Sequence, residues 1–155
     1  MAFQRRTWAV ERTCWVIMGA VLVTALAGGF SVGPLSTVEA TDESGLIYIQ
    51  YERFLRNLAS STLRVSLAPE ATSRSTATIR LSGALASEVK VDKVVPEPVE
   101  TRLTHDGLEF VFAIADPGKP ALVAFHLQPE TVGRIAGAVG VSGVKPARIN
   151  SFVYP

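Results

Sequence analysis

From Gly45 to the C-terminus, apolar residues recur at every second position through one short stretch after another. That period belongs to a strand with one face in a core and the other toward water. Ile47, Ile49 and Tyr51 share one face of the first stretch. Leu63, Val65 and Leu67 share a face in "TLRVSL", with Thr62, Arg64 and Ser66 opposite. Ala77, Ile79 and Leu81 repeat the pattern in "TATIRLS". Val89 and Val91 mark a shorter piece that ends at Pro96 and Pro98.

The clearest hairpin is "VETRLTHDGLEFVFAIAD". Val99, Thr101 and Leu103 alternate up to Asp106-Gly107, a pair suited to the positive φ of tight hairpins. Leu108, Phe110, Phe112 and Ile114 then line one face of the return strand, the strongest core candidate. After the Pro/Gly turn "DPGKP", Val123, Phe125 and Leu127 alternate in "ALVAFHLQP". Residues 129–140 read either way. "PETVGRIAG" has the Pro and Glu of a helix start, while its glycines oppose a long helix and "AVGVSGV" suits a strand or a loop. "ARINSFVYP" supplies a last strand. Short strands separated by turn signals predict an all-β fold, an antiparallel immunoglobulin-like β-sandwich over residues 45–155. The Cys–Trp–Cys hallmark of antibody domains is absent, since Trp8 and Trp15 both precede the domain.

The N-terminal third follows another rule. Thr13 to Gly33 holds no charged residue, and about twenty helical residues span roughly 30 Å, the thickness of a bilayer's hydrocarbon core. The expected organisation is a cytoplasmic tail at 1–12, one transmembrane helix at 13–33, a linker at 34–44 and an extracytoplasmic domain at 45–155. Arg5, Arg6 and Arg12 before the run, and Glu39, Asp42 and Glu43 after it, predict an N-in, C-out orientation in the inner membrane. A cleaved signal peptide competes with a retained anchor, because "ALA" at 25–27 offers a cleavage site. The apolar run continues past that site to Val32, which favours the anchor.

The residue inventory excludes several chemistries. Cys14 is the chain's one cysteine, so the β-domain has no thiol catalysis and no cysteine-based metal site. His105 falls in the hairpin turn, and His126 lies opposite the apolar face of its strand. A site joining His126 to Glu109 or Asp116 has no spacing to support it. "GVSGV" is not a nucleophile elbow, and "GRIAGAVGVSG" has neither Walker nor dinucleotide spacing. Lysines and arginines are scattered, which gives no footprint for nucleic acid. No cofactor, metal or catalytic residue is expected.

One feature suggests recognition. In "YIQYERFLRN" the strand runs into Tyr51, Arg53, Phe54 and Arg56, residue types that often anchor protein interfaces. With a first strand starting near Gly45 and running away from the bilayer, eight residues cover about 26 Å. That places Arg53 and Arg56 at the membrane-distal end. The arginine-bearing tail, one span, "GPLS" at Gly33–Ser36, "YERFLR" at Tyr51–Arg56 and the terminal "FVYP" resemble small uncharacterised bacterial single-pass inner-membrane proteins with an extracytoplasmic β-domain. The resemblance implies an envelope location and carries over no catalytic residue. The expected function is a non-enzymatic module for another envelope or inner-membrane protein. The alternative is a domain released by signal-peptide cleavage that binds a small ligand or an envelope polymer.

Overall fold

Eleven strands and two helices follow one another in this computed structural model, which describes residues 2–26, 36–141 and 143–155. The alternating stretches become β2 (Ile47–Glu52), β4 (Ser61–Leu67), β5 (Thr76–Gly83), β6 (Val89–Val95), β7 (Glu100–Thr104), β8 (Gly107–Ala113), β9 (Ala121–Pro129) and β11 (Ala147–Tyr154). Three strands join them: β1 (Thr37–Thr41), β3 (Phe54–Arg56) and β10 (Gly133–Val141). The helices are α1 (Ala2–Leu26) and the single turn α2 (Ala84–Ser87).

The strands form two sheets, ordered β1-β2-β4-β9-β6 and β3-β11-β10-β5-β8-β7. Every pairing is antiparallel except β3 with β11. The fold is therefore an all-β sandwich. Its eleven strands among the described residues exceed the seven to nine of the immunoglobulin arrangement. The expected inward residues meet between the sheets. Ile47, Ile49, Val65, Ile79, Leu81, Phe112 and Phe125 are almost wholly buried. Phe125 packs edge-on against Phe110 at 5.2 Å and Phe112 at 6.2 Å between ring centroids, joining β9 to β8 across the sandwich. Burying each such ring stabilises the fold by about 1.5–3 kcal/mol.

Three expectations change. Residues 34–44 are not all linker: β1 pairs with β2 from Thr37↔Glu52 to Thr41↔Tyr48. Asp42 closes this hairpin, its carboxylate accepting the Ile47 N–H at 3.0 Å and the Ser44 hydroxyl. Residues 133–140 of the ambiguous 129–140 region are strand, because β10 is flanked by β11 and β5. Its glycines serve close approach. A Cβ on Gly137 would lie 2.5 Å from Leu85 Cβ, so only glycine lets α2 settle on the sheet.

The third change concerns the N-terminus. α1 begins at Ala2, inside the expected tail, and its uncharged part ends the described helix at Leu26. No helix among the described residues is long and apolar enough to cross a membrane. The rest of the expected 13–33 span, residues 27–33, lies outside the described residues. Trp15, Val16, Ile17, Leu22 and Val23 on α1 are exposed.

Candidate interaction corner

The chain leaves one sheet and enters the other at Arg53. β2 ends at Glu52, and β3 starts at Phe54. The Arg53 N–H donates to the Ser36 carbonyl at 2.7 Å, and the Arg53 carbonyl accepts the Phe152 N–H at 2.7 Å. One residue therefore ties β1's entry, the sheet switch and β11 together. The Ser151 hydroxyl adds a bond of 2.8 Å to the Glu52 carbonyl. The turn after β3 is held by Asn57 N–H to Tyr154 carbonyl at 2.8 Å and Leu58 N–H to Pro129 carbonyl at 3.0 Å.

This geometry divides the four residues singled out in the sequence. Tyr51 packs against the core, and its hydroxyl accepts the Asn150 N–H at 3.5 Å. Arg53 and Arg56 are exposed, and Phe54 is half-buried. Parallel pairing sets Phe54 beside Phe152 and Arg56 beside Tyr154 on the outer face of the six-stranded sheet. The Tyr154 ring stands 6.0 Å from Phe54 and 5.2 Å, edge-on, from Phe152. Sequence reasoning missed Phe152 and Tyr154 as members of the cluster. The alternation in "SFVY" puts both opposite Val153, but nothing local announces that β3 lies alongside.

Arg134 pairs with Phe152 from the other side, its Nε–H donating to Asn150 Oδ1 at 3.0 Å. Arg148 is exposed on the same face of β11. No ion pair engages Arg53, Arg56, Arg134 or Arg148 among the described residues. The corner thus presents three aromatic rings among unpaired guanidinium groups. Arg53 also sits beside Ser36, at the end where the chain enters the sandwich. β1 runs out first and β2 returns, so Arg53 and Ser36 share one end of the sandwich.

Several cavities mark the surface. A groove of about 900 Å³ opens between β6 and the β7–β8 hairpin, lined by Val91, Val94, Pro98, Thr101, Leu108 and Phe110. A smaller cavity of about 340 Å³, beside the corner, is lined by Thr37, Gln50, Tyr51, Glu52, Thr62 and Arg64. Burial there raises the Glu52 carboxyl above its ordinary range.

The histidines do not meet carboxylates. His105 is exposed in the hairpin turn. His126 sits on the outer face of the five-stranded sheet between Thr62 and Lys93, its Nδ1 3.3 Å from Thr62 Oγ1. Glu109 lies on the other sheet, paired with Arg80, and Asp116 pairs with Lys119. A hydroxyl beside an imidazole is part of a nucleophilic arrangement, but no hydrogen bond to a carboxylate orients this ring among the described residues. Ser142 of "GVSGV" lies outside the described residues. No cluster of potential metal ligands forms among the described residues.

No protein-family model matches the chain. No curated protein matches it either. Among solved structures, the chain is similar to the cohesin module from the family 33 glycoside hydrolase of Clostridium perfringens ATCC13124. The two share 11% identity at a TM-score of 0.47, over 76% of this chain and 98% of that module.

Proposed function

We propose that the β-sandwich is a non-enzymatic interaction module, held at the inner membrane by the apolar N-terminal segment, with its domain outside the cytoplasm. Its partner is another envelope protein. The observation that carries this reading is the surface cluster of exposed Phe152 with half-buried Phe54 and Tyr154, flanked by arginines without ion-pair partners among the described residues. Aromatic and arginine anchors dominate binding energy at protein interfaces. The uncharged stretch from Thr13 to Gly33 and the exposed apolar side chains of α1 support the tether.

The Ser36–Arg53 contact narrows the partner. Three chain steps from Gly33 to Ser36 reach at most about 11 Å. A domain tethered at Gly33 therefore holds its arginine corner close to the bilayer, and a partner embedded in that bilayer fits it best. A photo-crosslinking residue at Phe152 should capture a discrete membrane protein, and Arg56→Ala should weaken the capture. Equal capture from the opposite end, at Thr41, would sink the assignment. Recovery of a mature chain starting at Gly28 would remove the tether.

The groove between β6 and β7–β8 favours a second reading, in which a released domain binds a small apolar ligand or a polymer segment. A ligand retained by native protein and lost on Phe110→Ala would support it.

A further inference from the structure

A sandwich with two open sheets has four edge strands, here β1, β6, β3 and β7. Edges invite pairing with another chain unless something blocks them. β3 is only three residues long. β6 carries a register shift between Val91 and Lys93 and two exposed lysines, Lys90 and Lys93. β1 has Glu39 at its centre, so a two-fold pairing of β1 with itself opposes two carboxylates. β7 has no register shift within it and carries charges of both signs, Glu100 and Arg102, so a two-fold pairing opposes like charges only when centred on one of them. Glu100 to Leu103 are all exposed, Leu103 at 84%, and Val99 just before them at 70%.

Register shows what that open edge offers. The two-residue turn His105-Asp106 closes on the pair Thr104↔Gly107. Hydrogen-bonded pairs then alternate, so the backbone of Glu100, Arg102 and Thr104 points to β8. The backbone N–H and C=O of Thr101 and Leu103 point to the free edge. On the outer face, charges alternate across strands: Arg80 on β5 opposes Glu109 on β8, which opposes Arg102 on β7. Within one chain Arg102 already holds the Glu100 carboxylate, its Nε and Nη2 each donating at 2.6 Å, so a strand laid beyond it shares or exchanges that pair.

We propose that β7 pairs antiparallel with β7 of a second copy, about a two-fold axis through Thr101, to join the two six-stranded sheets. This register is self-complementary. Thr101 opposes its own copy and exchanges both backbone bonds with it. Arg102 opposes the partner copy's glutamate at 100, which completes the alternating row. Leu103 opposes the valine at 99 and shields an apolar side chain that each monomer leaves in water. Val99 N–H is already bonded to the Val111 carbonyl at 2.8 Å, so this pair uses the Val99 carbonyl with the Leu103 N–H. The surface is separate from the aromatic corner, and the inference stands whether or not the chain is tethered.

The test uses the full chain with Cys14→Ser, so that introduced thiols react alone. Thr101→Cys should form an intermolecular disulfide, because facing Cα atoms in such a pair are about 5.5 Å apart, within disulfide range. Leu103→Cys alone should not, while mixing Val99→Cys and Leu103→Cys chains should cross-link. Sedimentation of Glu100→Arg should show dimer affinity reduced at least about tenfold, since opposed like charges replace attraction in both symmetric pairs. Glu100→Arg/Arg102→Glu should restore it. Circular dichroism should be unchanged in each variant. A chain that stays monomeric to about 1 mM, the weak end of ordinary affinities, overturns the proposal. So does a dimer that ignores the charge reversal, which would place association in α1 or on another face.

Discussion

Asp42 shows how one side chain holds an edge strand in place. Burial alone would raise its carboxyl, but hydrogen bonds from the Ile47 N–H, the Ser44 hydroxyl and the Ser44 and Leu46 amides outweigh that and hold it below its ordinary value. The folded state therefore favours the charged form. That contribution is complete above the unfolded-state pKa and is lost as pH falls through the lower folded-state pKa. Urea unfolding of the wild type should show stability dropping on the acid side, and Asp42→Asn should flatten that limb while lowering stability at neutral pH. Glu52 has the opposite sign: its raised carboxyl contributes most when protonated, and stability is lost as pH rises through its folded-state value. Gly137 tests packing. Its substitution by alanine puts a methyl carbon 2.6 Å from the Ser82 carbonyl as well as against Leu85, and should lower stability by about 1–3 kcal/mol in denaturant titrations. Leu58 sits at φ 60 with its side chain exposed. Leu58→Gly removes that strain and should raise stability by up to about 1 kcal/mol, offset in part by a freer unfolded chain.

At the scale of elements, alternation was legible where a strand has one fully buried face. β2, β4, β5, β8 and β9 fall into place because Ile47, Val65, Ile79, Phe112 and Phe125 each belong to an alternating run of inward side chains. β1 was missed because Val38 and Ala40, its inward residues, are only half-buried at a sheet edge. β3 was missed because three residues carry no period; long-range pairing with β11 makes it a strand. β10 was ambiguous because its glycines read as breaks, and α2, not the strand itself, explains one of them. The candidate site was half legible. Arg53, Phe54 and Arg56 do reach one surface, but Tyr51 turns inward and Phe152 and Tyr154 arrive from about a hundred residues away. Hydrogen exchange should follow the same logic. Amides of β10, between two strands, should be among the slowest, and those of β1 near the fast end. Ser151→Ala removes the bond to the Glu52 carbonyl that ties the sheets at the corner, and should lower stability by about 1–2 kcal/mol.

For the whole molecule, the position of β11 has a consequence for how the domain comes into being. β11 is not an edge strand; it lies between β3 and β10 and buries Ala147, Ile149 and Val153. The six-stranded sheet cannot close until residues 147–154 are free to pair. Its contacts with β3 join segments far apart in sequence, which slows closure because a long loop must be ordered first. A chain stalled before Ala147 should stay protease-sensitive throughout the domain, whereas release of the last strand should confer resistance in one step. The domain therefore remains an open chain until Ala147–Tyr154 can pair, and becomes a folded body in one late step.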